Sequence, residues 1–240
     1  MKIAVIGCGW LGERVAKHLL NEGFKVLVTA TSLEKLDYLN KIFSETYLLK
    51  FGETTDFSFL KNVDVVVFSM PSSRNDWHEG FKEFPVDFKK SIYFSSTGIY
   101  PESKITFTEL YQENLRKDLQ LSEEIIRNKF PQTNILRLAG LMGDERNLNN
   151  FFKNRKPTNP EKAANHIHYE DIVVAVKLIL QSNFESEVYN LVAPNHPTLA
   201  EIFNTEDAGP EIPQRIISSQ KFIQNFNYKF IHSNPLFFSK

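Results

Sequence analysis

Gly7, Gly9 and Gly12 follow directly on the apolar run Ile3 to Ile6 and directly precede a helical pattern. A GxGxxG spacing held between strand and helix restricts the fold of this chain more than any other feature. Gly7 permits a tight turn out of the strand, and Gly9 lets a ligand phosphate approach the backbone with no Cβ in the way. Gly12 lets the helix lie close to the sheet. The first amides of that helix and the positive end of its dipole then face an anion. The pattern predicts a dinucleotide pyrophosphate seated on Gly7, Gly9, Trp10, Leu11 and Gly12; the competing reading is a purely structural glycine turn.

The remaining chain continues the alternation this start requires. Leu11, Val15 and Leu19 give the first helix one apolar face, and Gly23 closes it. Strands are predicted at 24–29, 47–51, 63–68, 91–96, 133–139 and 188–192, and helices from Ser32 to about Ile42, at 76–84, 112–128 and 170–181. Val63 to Phe68 is apolar enough for a central strand buried on both faces. Between 143 and 165 the pattern loosens. A short helix near Leu199, a segment Arg215 to Ser219, a helix around Lys221 and a segment Tyr228 to Ile231 complete the chain. Strand and helix in alternation predict an α/β doubly wound parallel sheet, the Rossmann fold, with ligands beyond the carboxyl ends of the strands. The expected organisation is a single domain over 1–240. Its dinucleotide-binding core covers about 1–140 plus 166–192, and a small substrate-side region covers about 141–165 plus 193–240.

Composition excludes several classes. A formal net charge of -1 lacks the basic excess of a nucleic-acid or anionic-membrane binder. No apolar run approaches the length of a membrane span. The only cysteine, Cys8, rules out an internal disulfide and fits a reducing, cytoplasmic setting. It lies in the glycine turn and is read as structural. The 21 phenylalanines predict aromatic packing between layers. The expected state is a monomer or homodimer acting on a small molecule.

The end of the second strand addresses the choice of cofactor. An Asp or Glu about 20 residues past the glycines binds the ribose 2′-hydroxyl of NAD. Here that place reads Thr29-Ala30-Thr31-Ser32, with no carboxylate and with Lys35 one turn on. The missing negative charge favours NADP over NAD, with Thr29, Thr31 and Ser32 near the adenosine ribose. Thr31 or Ser32 can also cap the next helix, and the two roles are compatible. Met70 and Pro71, after the fourth strand, are expected to line the cofactor groove, with Arg74 beside them.

Several stretches together resemble the extended and atypical short-chain dehydrogenase/reductases of the NAD-dependent epimerase/dehydratase type. They are Gly7 to Gly12, Tyr93 to Tyr100, Leu136 to Gly143, Asn165 to Ile172 and Val188 to Leu191. The likeness is nearest to short bacterial nucleoside-diphosphate-sugar epimerase-like proteins. It implies a Ser or Thr that orients the substrate carbonyl, a Tyr as general acid/base, and a Lys four residues after the Tyr. Ser96 matches the first position, with Thr97 beside it, but Leu115 and Leu119 stand where the Tyr and Lys should be. The chain's Tyr100 and Lys104 have the spacing, yet Pro101 interrupts them, so they are read as coincidence. Tyr111 is a candidate displaced acid. The loop after the sixth strand, where the family binds substrate phosphates, carries Arg146, Lys153, Arg155 and Lys156; Arg146 and Arg155 are the candidate substrate contacts. His166 and His168 are read as structural rather than as a base or metal ligands, and no metal site is expected. Glu170 and Asp171 are expected to favour the N-terminus of the following helix.

Three functional readings follow. The first is an NAD(P)-dependent oxidoreductase or epimerase on a nucleotide-linked or other small anionic substrate. The second is a catalytically silent dinucleotide-binding sensor. The third, a β-hydroxyacid-type dehydrogenase, requires an all-helical second half.

Overall fold

The computed structural model describes residues 1–72, 76–85, 88–153, 159–204 and 215–239. Strands β1 (Lys2–Ile6), β2 (Lys25–Ala30), β3 (Glu45–Leu48), β4 (Val65–Phe68), β5 (Lys90–Ser96), β7 (Asn134–Leu138) and β10 (Val188–Leu191) form one seven-stranded sheet. Its order is β10-β7-β5-β4-β1-β2-β3. The pairs β1–β2, β1–β4, β2–β3 and β4–β5 are parallel. The expected doubly wound parallel architecture is present. Two short parallel pairs accompany it: β6 (Thr106–Phe107) with β11 (Ile216–Ile217), and β8 (Gly140–Met142) with β9 (His166–His168). The helices are α1 (Trp10–Asn21), α2 (Leu33–Leu39), α3 (Lys117–Lys129), α4 (Leu148–Phe151), α5 (Tyr169–Gln181), α6 (Leu199–Phe203) and α7 (Gln220–Phe226). Among the described residues no helix is long and apolar enough to cross a membrane.

The chain divides into two compact units, one of residues 1–95, 117–136 and 176–187, the other of residues 96–116, 137–175 and 188–240. In the first, β1 and β4 are buried on both faces except at Lys2, as the apolar runs require. Helix α1 buries Leu11, Val15 and Leu19 and ends in a Schellman closure. Gly23, at φ +84°, donates to the Leu20 carbonyl, and Phe24 donates to that of Leu19. The phenylalanines gather on one side of this unit. Phe68, Phe81, Phe84 and Phe130 pack with ring centroids 5.4–6.3 Å apart, and Phe51 joins Phe81, Phe84 and Trp77.

The second unit has its own small core of Met142, Leu148, Ala164 and Ile202, with Phe152, Phe203, Leu236 and Phe238 packed on it. A separate network is polar. Tyr100, buried, donates its hydroxyl hydrogen to Asn190 Oδ1 (2.8 Å) and accepts from Arg137 (2.9 Å), while Glu109 accepts the Asn190 amide (2.8 Å). Burial raises the pKa of both Tyr100 and Glu109. These strands in the second half of the chain weigh against the all-helical second half of a β-hydroxyacid-type enzyme.

Three local expectations need correction. The third strand runs Glu45–Leu48 rather than 47–51, because parallel register with β2 pairs Leu27 with Glu45 and Ala30 with Leu48; the backbone then turns through Gly52 at φ +87°. In place of a helix over 76–84 there is a short 3-10 turn, Gly80–Glu83. It sinks Phe81 and Phe84, three residues apart, into the aromatic cluster. The helix predicted from 112 starts at Lys117, since Asn114 adopts φ +48° and breaks any earlier helical run. Strand β8 was hidden in a stretch with no alternating pattern.

Gly80 is fixed by a backbone approach: a Cβ there would lie 1.9 Å from the Gly52 nitrogen. Gly80→Ala is therefore expected to lower stability by about 2–3 kcal/mol. Urea denaturation measures this, and an unchanged midpoint would refute the close packing of the two backbones.

Candidate functional site

The glycine turn is held from the neighbouring strand. Thr29, near the end of β2 and almost fully buried, accepts the Gly7 amide on its hydroxyl (3.0 Å) and the Cys8 amide on its carbonyl (2.8 Å). The Gly9 amide donates back to the Gly7 carbonyl at 2.8 Å. This folds the chain sharply from β1 into α1, with Gly9 as the helix N-cap. Gly9 has no side chain, so no cap serves the first-turn amides of α1.

The three glycines are required for different reasons. Gly7 has φ +86°, a backbone conformation that side-chain-bearing residues adopt rarely. A Cβ on Gly12 would come within 2.6 Å of the Gly7 carbonyl oxygen. Gly9 has negative φ, and a Cβ added to it meets nothing within 4 Å. Among the described residues nothing demands glycine at position 9, and the space in front of it is open.

That space belongs to a cleft of about 700 Å³, lined among others by Gly7, Gly9, Thr31, Lys35, Met70 and Trp77. It lies wholly within the first unit, at the carboxyl ends of β1, β2 and β4. Thr29, Thr31, Met70 and Pro71 all border it. Ser32 does not border it; its hydroxyl caps α2 by accepting the Lys35 amide at 3.3 Å. Trp10 and Leu11 lie in the first turn of α1, Trp10 half-buried beneath the Arg14 guanidinium (3.8 Å to the ring centroid) and Leu11 buried. Trp77, which also lines the cleft, donates to the Pro71 carbonyl (3.2 Å). Arg74 lies outside the described residues.

The charges beside the turn are arranged around Glu13. Its carboxylate accepts from Lys17 (2.7 Å), Lys35 (2.7 Å) and Tyr38 (2.8 Å). Burial alone would raise its pKa, but these three hydrogen bonds outweigh it and hold the group at about 2. The carboxylate is thus neutralised by cations, and one of them, Lys35, also borders the cleft. Burial pushes the Cys8 thiol up to about 12, so it stays protonated and inert.

Ser96 and Thr97 occupy the turn after β5, and the other candidate chemical residues lie on further elements. Ser96 is half-buried and accepts the Gly98 amide at 3.0 Å, capping a 3-10 turn over Thr97–Ile99. Thr97 is buried. Leu115 and Leu119, at the positions of the family Tyr and Lys, are buried core residues, 9% and 1% exposed. Tyr100 is committed to the buried polar network and Lys104 is exposed, so the two do not act as a pair. Tyr111 packs edge-on against Phe107 with ring centroids 4.8 Å apart. Arg146 is exposed, its backbone paired with Gly143 in the turn after β8. Arg155 and Lys156 lie outside the described residues. His166 is bonded to the Ser239 hydroxyl (2.8 Å), and burial lowers its pKa to about 4.

Two features of this unit escape sequence reading. Arg215 donates to the carbonyls of Thr97 (2.8 Å), Tyr100 (3.1 Å) and Pro101 (3.0 Å), clamping the turn that carries Ser96. His232 sits beside His168 and Glu170. Both partnerships join residues more than 60 positions apart, and no local pattern announces them.

Residues 1–80 match the family model of shikimate / quinate 5-dehydrogenase. Protein YeeZ of Escherichia coli strain K12 is 27% identical, over 98% of this chain and 97% of that protein. Among solved structures, UDP-glucuronic acid 4-epimerase from Bacillus cereus in complex with NAD aligns with a TM-score of 0.75 at 16% identity. That alignment covers 95% of this chain and 91% of the other. Yeast methylglyoxal/isovaleraldehyde reductase Gre2 complexed with NADPH aligns at 0.74 and 16% identity, covering 96% and 94%. At these identities the structural likeness establishes a shared fold.

Gly9→Ala is expected to cost at most about 1 kcal/mol, the loss of a favourable N-cap residue. Gly12→Ala is expected to cost about 1–3 kcal/mol, because a backbone carbonyl must move. Equal denaturation midpoints for the two variants would contradict the division of roles. For Glu13, a folded pKa of about 2 lies below the ordinary glutamate value of 4.5. Its stabilising contribution is therefore full above about pH 4.5 and is lost as pH falls towards 2. Glu13→Gln should flatten the acid limb of stability in that window; an acid limb as steep as that of the parent protein would show that the cluster contributes nothing.

Proposed function

We propose that this chain is a nicotinamide-dinucleotide-binding protein of the oxidoreductase or epimerase type, with NADP preferred to NAD. The observation that carries the reading is Gly9: a glycine that the protein itself does not need, facing an open cleft at the uncapped start of a helix. A pyrophosphate supplies the missing reason, since only a residue without Cβ lets it reach the first-turn amides. The bound NAD and NADPH of the two structural neighbours support the same class of ligand. Preference for NADP rests on the carboxylate-free end of β2 and on Lys35, which borders the cleft while its ammonium group pairs with Glu13. A 2′-phosphate would meet a cation there instead of an acid. When bound, the cofactor supplies hydride chemistry; Ser96 orients the substrate, and Arg146 and Arg155 favour an anionic one.

The buried leucines at 115 and 119 favour a second reading, a dinucleotide sensor without turnover. A positioned general acid/base is worth about 10²–10⁴-fold in rate, and apolar side chains at those positions supply none of it.

Calorimetric titration with NADPH should show saturable binding. Gly9→Asp should weaken it at least about tenfold, or 1.4 kcal/mol, without unfolding the protein, and Lys35→Ala should narrow the gap between NADPH and NADH. Equal NADPH affinity for parent and Gly9→Asp protein would reject the glycine-turn site. Any NADPH-dependent turnover should survive Tyr100→Phe and fall with Ser96→Ala; the sensor reading predicts binding with no turnover at all.

A further inference from the structure

Outside the cofactor cleft, the second unit brings three ligand-type side chains together. His168 ends β9, Glu170 lies in the first turn of α5, and His232 comes from the C-terminal segment. One donor atom from each lies within 4.8 Å of the other two. Glu170 Oε2 is 2.6 Å from His232 Nε2 and 3.6 Å from His168 Nδ1, and the two imidazole centroids are 3.8 Å apart. We propose that His168, Glu170 and His232 bind one divalent transition-metal ion, zinc(II) foremost, which fastens the C-terminal segment to the start of α5.

The chemistry of the donor set selects the ion. Two imidazoles and one carboxylate suit zinc, whereas magnesium and calcium take oxygen ligands. His168 Nδ1 lies on the cluster side, where it accepts the Glu170 amide in a long hydrogen bond of 3.3 Å that the ion would replace. Its other nitrogen faces backbone: a Cβ on Gly143 would stand 2.7 Å from Nε2. Ligand bonds of about 2.0–2.1 Å put tetrahedral donors roughly 3.3 Å apart. The Glu170–His232 contact would open by roughly 0.7 Å, and the wider ones close by up to about 1.5 Å, through side-chain rotation. Asp171 supports the site from behind. It accepts the Tyr228 hydroxyl (2.7 Å), the Ile231 amide (2.7 Å) and the His232 amide (3.1 Å), so His232 is presented by a fixed backbone. Rings of Tyr169 and Phe238 flank His168, and Phe238 also flanks His232, shielding one side from water.

A simpler account is that Glu170 merely bonds His232 and pins the chain end. That account needs one histidine, and the cluster brings the ring nitrogen of a second, His168, to 3.6 Å from the same carboxylate. Glu170→Gln separates the accounts, because an amide keeps a hydrogen bond to His232 but is a poor metal ligand.

The test uses the full chain, stripped with chelator and titrated with zinc chloride alone, with metal content measured after gel filtration. One zinc per chain is expected, with affinity reduced at least tenfold in His168→Ala, His232→Ala and Glu170→Gln. Circular dichroism of each variant checks folding, and His196→Ala should bind as the parent does. Zinc should also slow carboxypeptidase digestion of the parent and not of Glu170→Gln. Absence of stoichiometric zinc at micromolar concentration, or zinc held equally by all three variants, overturns the site. NADPH binding is read separately and does not bear on the outcome.

Discussion

The grip of Thr29 on the turn after β1 is the contact from which the candidate site follows. One residue satisfies two successive amides, those of Gly7 and Cys8, with its hydroxyl and its carbonyl. Buried donors without partners would cost about 1–3 kcal/mol each, so the turn is stable only while β2 lies beside β1 in the observed register. With those amides occupied, the donors left for a ligand are those of the first turn of α1. Strand pairing, turn and anion site are thus one construction. Removing the hydroxyl at position 29 would disturb the mouth of the cleft before it disturbed the sheet.

The glycines show how a shared spacing conceals unlike causes. Backbone conformation dictates Gly7 and close packing dictates Gly12, while a Cβ at Gly9 would meet none of the described residues. A similar separation applies to the catalytic positions. Ser96 keeps a half-exposed hydroxyl on a turn clamped by Arg215, but Leu115 and Leu119 are drawn into the core. The dinucleotide half of the expected machinery is therefore built more fully than the proton-transfer half.

How much was legible varied with the range of the interaction. The apolar runs of β1 and β4, the amphipathic stripe of α1 and the Ser32 cap are set by neighbours within a few residues, and the sequence showed them. The 3-10 turn at Gly80–Glu83 was misread as a helix because its spacing of buried phenylalanines is also helical; a backbone contact with Gly52 decided the matter. The start of α3 was misplaced because a left-handed Asn114 leaves no periodic trace. Arg215 and His232 were missed for a stronger reason. Their partners lie on distant elements, and a lone charged or aromatic residue in a polar stretch says nothing about what it will meet.

By itself, the sequence determined the parallel α/β class, the order of its principal strands and helices, and a glycine turn between the first strand and the first helix. Periodicity and glycine stereochemistry are local properties, written into adjacent residues. Only the tertiary structure decided that Gly9 faces open space, that Lys35 is shared between Glu13 and the cleft, and that His168, Glu170 and His232 converge. Each of those depends on segments brought together by burying apolar surface, a force that scales with area and carries no address for the polar side chains it places side by side.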